Sequence, residues 1–158
     1  MKKLYLISLL FLFLLPQELL AQCVSSIPLN SSLSGTWVTS CASTHRTGKY
    51  AKYYTFTLSS SQQVSITLES SKDTYLFLLQ GSGETGTVIT SNDDIATGNT
   101  NSQIVRTLTA GTYTAEATTY DSATTGTFVI SVAAGSSSGA CIKSVNTRTN
   151  VSDSWVSS

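Results

Sequence analysis

Charge is scarce in this sequence. Only 11% of its 158 residues are Asp, Glu, Lys or Arg, and nine basic residues balance nine acidic ones. No basic patch is available to neutralise phosphates, which excludes nucleic acid as a partner. Histidine and methionine occur once each and proline twice. The single histidine, His45, has no Asp or Glu near it in sequence and no nucleophile-elbow motif accompanies it, so it reads as an exposed loop residue rather than the base of a hydrolase. Apolar residues at 3.6-residue spacing are missing beyond the N-terminus, which argues against helices. The one long apolar run, Leu4 to Leu15, stops at Pro16 and is short for a membrane span; the mature form is expected to have no transmembrane segment.

What is present points to export. Lys2 and Lys3 precede the apolar run, and Leu19-Leu20-Ala21 offers a signal-peptidase site before Gln22. Lipidation at Cys23 is the competing reading, but Gln22 stands where a lipobox wants a small residue. Cleavage after Ala21 leaves seven basic and eight acidic residues. Ser, Thr and Gly then build most of the polar surface, as suits an extracellular β-protein.

The stretch Asp73 to Asp94 organises the rest. Leu76 and Leu78 alternate with Tyr75, Phe77 and Leu79, so both faces of this strand are apolar and it is expected to be central and covered. A Gly-rich turn, a short strand at Val88-Ile89 and the run Asn92-Asp93-Asp94 follow. Elsewhere Tyr54, Phe56 and Leu58, then Val64, Ile66 and Leu68, alternate with polar neighbours. Tyr113, Ala115 and Ala117 point in with Thr114, Glu116 and Thr118 out, and Phe128, Ile130 and Val132 form a last inward row. With Thr36 to Ser40 this gives about eight strands: an all-β sandwich of jelly-roll type.

The sequence also begins to repeat. At an offset of 118, Cys23 falls on Cys141, Ser26 on Ser144, Trp37 on Trp155 and Val38 on Val156, while Ile27 and Leu33 match Val145 and Val151. The expected organisation is a signal peptide at 1–21, a sandwich at 22–133, a Gly/Ser linker at 134–140 and the start of a second copy at 141–158. Cys23 and Cys41 are placed to form a disulfide, leaving Cys141 for a partner in the second copy or for an intermolecular bond.

The ordered motifs YYTFTL, DTYLFLL, SNDD, GNTNSQIVRTL, AGTYTAEATTY and GTFVISV, from about Gly35 to Val132, resemble the bacterial pre-peptidase C-terminal domain. The resemblance implies a non-catalytic sandwich attached to secreted or surface proteins, often beside peptidases or in tandem arrays. Relatives in bacterial collagenases bind their substrate, and some bind calcium through an acidic N-terminal linker. Cys23 to Thr39 contains no Asp or Glu, so that calcium site does not carry over.

A separate candidate for calcium is Asp73 with Asn92, Asp93 and Asp94, because hard cations take clustered carboxylate and amide oxygens; the competing reading is an Asx turn capping backbone N–H groups. Tyr53, read as outward-facing, and Tyr120, near a loop, are the candidate ligand-binding residues. The functional expectation is a secreted, non-enzymatic accessory or adhesive domain, tandemly repeated, that binds an extracellular polysaccharide or protein polymer or supports a neighbouring domain. A structural repeat of a stalk or filament is the second reading, and an accessory domain of a secreted peptidase the third.

Overall fold

The computed structural model describes residues 22–135; the expected signal peptide, the rest of the expected linker and the second cysteine segment lie outside the described residues. Among the described residues nine strands are formed: β1 (Val24–Ser26), β2 (Ser31–Trp37), β3 (Lys52–Leu58), β4 (Gln62–Ser70), β5 (Thr74–Gln80), β6 (Thr87–Asn92), β7 (Ser102–Leu108), β8 (Gly111–Thr119) and β9 (Gly126–Ala134). They make one sheet in the order β1-β3-β8-β5-β6 and a second in the order β2-β9-β4-β7. With β1 set aside, the two orders are those of a jelly roll, in which consecutive strands alternate between sheets except at the β5–β6 hairpin. The expected fold class holds.

Alternation does most of the building. Tyr54, Phe56 and Leu58 of β3, Val64, Ile66 and Leu68 of β4, and Phe128, Ile130 and Val132 of β9 all face the space between the sheets, joined by Leu76, Leu78 and Trp37. Trp37 is wholly buried; its indole N–H donates to the Ala117 carbonyl at 2.8 Å and its ring lies 4.4 Å from that of Phe128. Burial raises the Tyr54 hydroxyl to about 12.

Three expectations are corrected. The second strand is Ser31–Trp37 rather than Thr36–Ser40, pairing along its whole length with β9. Its Ser/Thr/Gly composition hides the alternation, since Leu33 is the one aliphatic residue before Trp37. A further strand, β1, runs parallel to β3 at the sheet edge. The fully covered central strand is β8, flanked by β3 and β5, while β5 lies beside the edge strand β6.

Covering β8 needs a second layer on its outer face. Residues 38–51 fold over it, and the Cys23–Cys41 disulfide ties this segment to β1. Under it Ala51, Tyr53 and Leu79 form a small second core, with Val24 and Phe77 packed alongside.

Candidate functional site

The outer face of the larger sheet is where the sequence and the structure part company. Thr114, Glu116 and Thr118 do point away from the main core, yet all three are buried. Each finds a partner in the covering segments, as buried polar groups must. The Thr114 hydroxyl donates to the Gly81 carbonyl at 2.8 Å and that of Thr118 to the Tyr50 carbonyl at 2.8 Å. Glu116, with no exposed surface, accepts the Ser43 hydroxyl on one oxygen and meets His45 Nδ1 at 2.5 Å with the other.

His45 is therefore not the free loop residue expected. Its side chain is 22% exposed and its ring packs 5.5 Å from Phe77. Ser43 completes the turn by accepting the Arg46 N–H at 2.9 Å. The three side chains do not form a hydrolase relay. There the histidine stands between serine and acid, whereas here the glutamate stands between serine and histidine.

Tyr53 is also corrected. It faces outward from the sheet but has no exposed surface, because Ala42 to Thr44 pass over it. The Thr44 N–H donates to its hydroxyl at 2.9 Å. Desolvation, with lesser help from Glu116 and Glu84, pushes its ionisation up. A buried phenol cannot meet a polymer.

Tyr120 is different, being 48% exposed. Beside it the Arg46 guanidinium lies 4.0 Å over the Tyr75 ring and 5.3 Å from that of Tyr120, and donates to the Tyr120 carbonyl at 3.2 Å. Tyr75 in turn meets Phe77 at 5.0 Å. The result is a strip of rings and one cation, a surface suited to stacking against sugar rings or extended peptide. Arg46 and Tyr75 were not among the sequence candidates. No local pattern marks them, because the strip is assembled from β5, the 42–50 loop and the end of β8. A shallow cleft of about 500 Å³ on the smaller sheet, beside Gly35, Glu69 and Phe128, contains none of these residues.

The acidic candidates do come together. β5 and β6 form an antiparallel hairpin, so Asp73 before one strand meets Asp93 and Asp94 after the other, with ligand oxygens within 4.8 Å of one another. One oxygen each of Asp73 and Asp93 is sealed from solvent with no hydrogen-bond partner. Desolvation first, then neighbouring carboxylates, raise the pKa of both, while Arg46 pulls them back. Asn92, next to Asp93 in the chain, is engaged in hydrogen bonds of its own. Its side-chain oxygen accepts the Gln103 N–H at 2.8 Å and its amide donates to the Asp94 carbonyl at 3.2 Å, the turn-forming role.

Comparison with known proteins agrees with this architecture. The family model for the bacterial pre-peptidase C-terminal domain matches residues 50–134. The chain belongs to that family. The match opens at Tyr50 rather than near Gly35, so β1, β2 and most of the covering loop of this pre-peptidase C-terminal domain lie outside it. Among solved structures, the pre-peptidase C-terminal domain of a collagenase from Bacillus anthracis is similar at 20% identity and a TM-score of 0.52, over 69% of this chain and 93% of that one. Two periplasmic inhibitors of g-type lysozyme are also similar. PliG of Aeromonas hydrophila has 14% identity and a TM-score of 0.43, over 69% of this chain and 96% of that one. PliG of Salmonella Typhimurium has 13% identity and a TM-score of 0.45, over 71% and 98%. No curated protein sequence matches the chain. The disulfide, which forms in oxidising compartments, and the family together place the domain outside the cytoplasm. Among the described residues no helix is long and apolar enough to cross a membrane.

Proposed function

We infer that this pre-peptidase C-terminal domain is a non-catalytic accessory module, secreted and repeated in tandem in its parent protein, that binds an extracellular polysaccharide or protein polymer. The observation that carries the reading is the exposed Tyr120 ring beside Arg46, itself stacked on Tyr75. These groups are held on a disulfide-stapled sandwich, so little ordering is needed on binding. Tyr120→Ala should reduce retention on insoluble polymers about tenfold, the loss of roughly 1.4 kcal/mol of contact, while leaving the melting temperature unchanged. Co-sedimentation with polysaccharide and fibrous-protein matrices measures it, and undiminished retention would sink the reading. The stalk or filament reading makes the opposite forecast: the variant assembles and binds as before, because repeats then serve each other. An accessory role beside a secreted peptidase is the third reading, and a peptidase in the same parent polypeptide would favour it.

The acidic corner carries a second element of the proposal, calcium held by Asp73, Asp93 and Asp94; it is favoured by the two sealed oxygens that lack partners. The folded-state pKa values of Asp73 and Asp93 are raised. A raised carboxyl contributes stability that is fully present below its unfolded value, about 3.9, and lost as pH rises through the folded one. In chelator, the denaturation midpoint should therefore rise as pH falls toward that range. Calcium at a hundredfold excess over its dissociation constant should add about 2.7 kcal/mol at neutral pH. Identical neutral-pH curves with calcium and with chelator would refute the cation.

A further inference from the structure

Residues 23–40 and 141–158 share a pattern, and the structure shows what each shared position does in the first copy. Cys23 is bonded to Cys41, Ile27 and Trp37 are buried in the main core, and Leu33 packs against it. The segment contributes one edge strand to each sheet: among the described residues β1 pairs only with β3 and β2 only with β9. Its disulfide joins its own two ends, so apart from the chain at Ala42 it is held to β3–β9 by side chains and ladder hydrogen bonds. Residues 23–41 are thus a closing segment, and 50–134, the family match, are the body it closes.

Two positions break the pattern where the body tolerates least. At Gly35 the ring tip of Phe128 and the Tyr54 hydroxyl occupy the space a β-carbon would need. Phe128 cannot easily withdraw, being packed against Trp37 on one side and edge-on to Tyr54 on the other. The second copy has Asp153 at this place. At Asn30 the backbone is left-handed, with φ of 58°, a region asparagine enters more readily than most residues. Its side-chain oxygen accepts the Ala134 N–H at 2.9 Å. The second copy has Arg148 there, which offers no acceptor.

We propose that Gly35 and Asn30 key residues 23–41 to this body, and that the sequence 141–158 suits a different one, a second sandwich whose counterparts of Phe128 and Tyr54 leave room for an aspartate side chain. The inference rests on the tandem-repeat reading above and adds partner specificity to it. Keyed segments suppress exchange between neighbouring repeats, the usual hazard when like domains share a chain.

The test uses the full chain in two forms. In one, residues 23–40 are replaced by the sequence of 141–158; in the other, the same replacement is made with glycine restored at position 35 and asparagine at position 30. Melting, Trp fluorescence and non-reducing peptide mapping of the disulfide are read for both. The first form should show no cooperative transition, and the second should melt cooperatively with the Cys23–Cys41 bond formed. Cooperative melting of the first form at the wild-type temperature would overturn the keying while leaving the repeat intact. Failure of both forms would overturn the repeat reading itself, since 141–158 would then lack the character of a closing segment.

Discussion

Trp37→Ala should destabilise the domain by about 4 kcal/mol, the range for emptying a buried aromatic site. Three effects combine at this position. The side chain is fully buried, its ring packs at a tilt against that of Phe128, and its N–H is the donor for the Ala117 carbonyl on the central strand. Truncation leaves a cavity at the junction of the two sheets and a buried carbonyl with one partner fewer. Trp37→Phe should recover much of the packing and not the hydrogen bond, falling about 1 kcal/mol short of wild type on that account. Urea denaturation followed by far-UV dichroism measures both, and at ordinary slopes the alanine variant's midpoint moves by about 2 M. A loss below about 1 kcal/mol would mean that the tryptophan is not the pin between sheets described here.

Removing the disulfide is the second large effect. Cys23 and Cys41 are 18 residues apart, and closing a loop of that length restricts the unfolded chain by about 3 kcal/mol. Double replacement by alanine should lower stability by that amount. A reducing agent should do the same to the wild type and nothing to the variant. The consequence should also be local. β1 has three residues and one neighbour, and the Ala51 N–H donates to the Cys41 carbonyl at 2.9 Å. Hydrogen exchange should therefore quicken first at Val24–Ser26 and across residues 42–50, before the main sandwich opens. Uniform exchange across all strands would show that the covering loop holds its place without the staple.

How far the fold could be read in advance depended on how each residue is covered. Phe56, Val64, Ile66 and Ile130 announce their direction because the main core lies on one side and polar residues alternate with them. Asp73 and Asp93 could be paired because a hairpin brings the end of β6 back to the start of β5. Glu116 offered no such hint. Its alternation places it outward correctly, and only a loop more than 70 positions earlier, carrying Ser43 and His45, turns outward into buried. Tyr53 failed for the same reason. Arg46, Tyr75 and Tyr120 meet through the same loop, so their strip has no footprint in any window of sequence.

The disulfide also decides how the domain answers to being pulled. Tension entering at Gln22 reaches Cys23 and passes through sulfur directly to Cys41, so residues 24–40 lie off the mechanical path. β1 and β2 then feel load only through their ladder bonds to β3 and β9, while β3 and the strands behind it carry the strain along the chain. About 60 Å of contour, 18 residues fully extended, stays locked until the bond is reduced. A polypeptide built of such units, anchored at one end and gripping a polymer at the other, would lengthen less under stress in an oxidising medium than in a reducing one. Its reach would be set by the redox state around it.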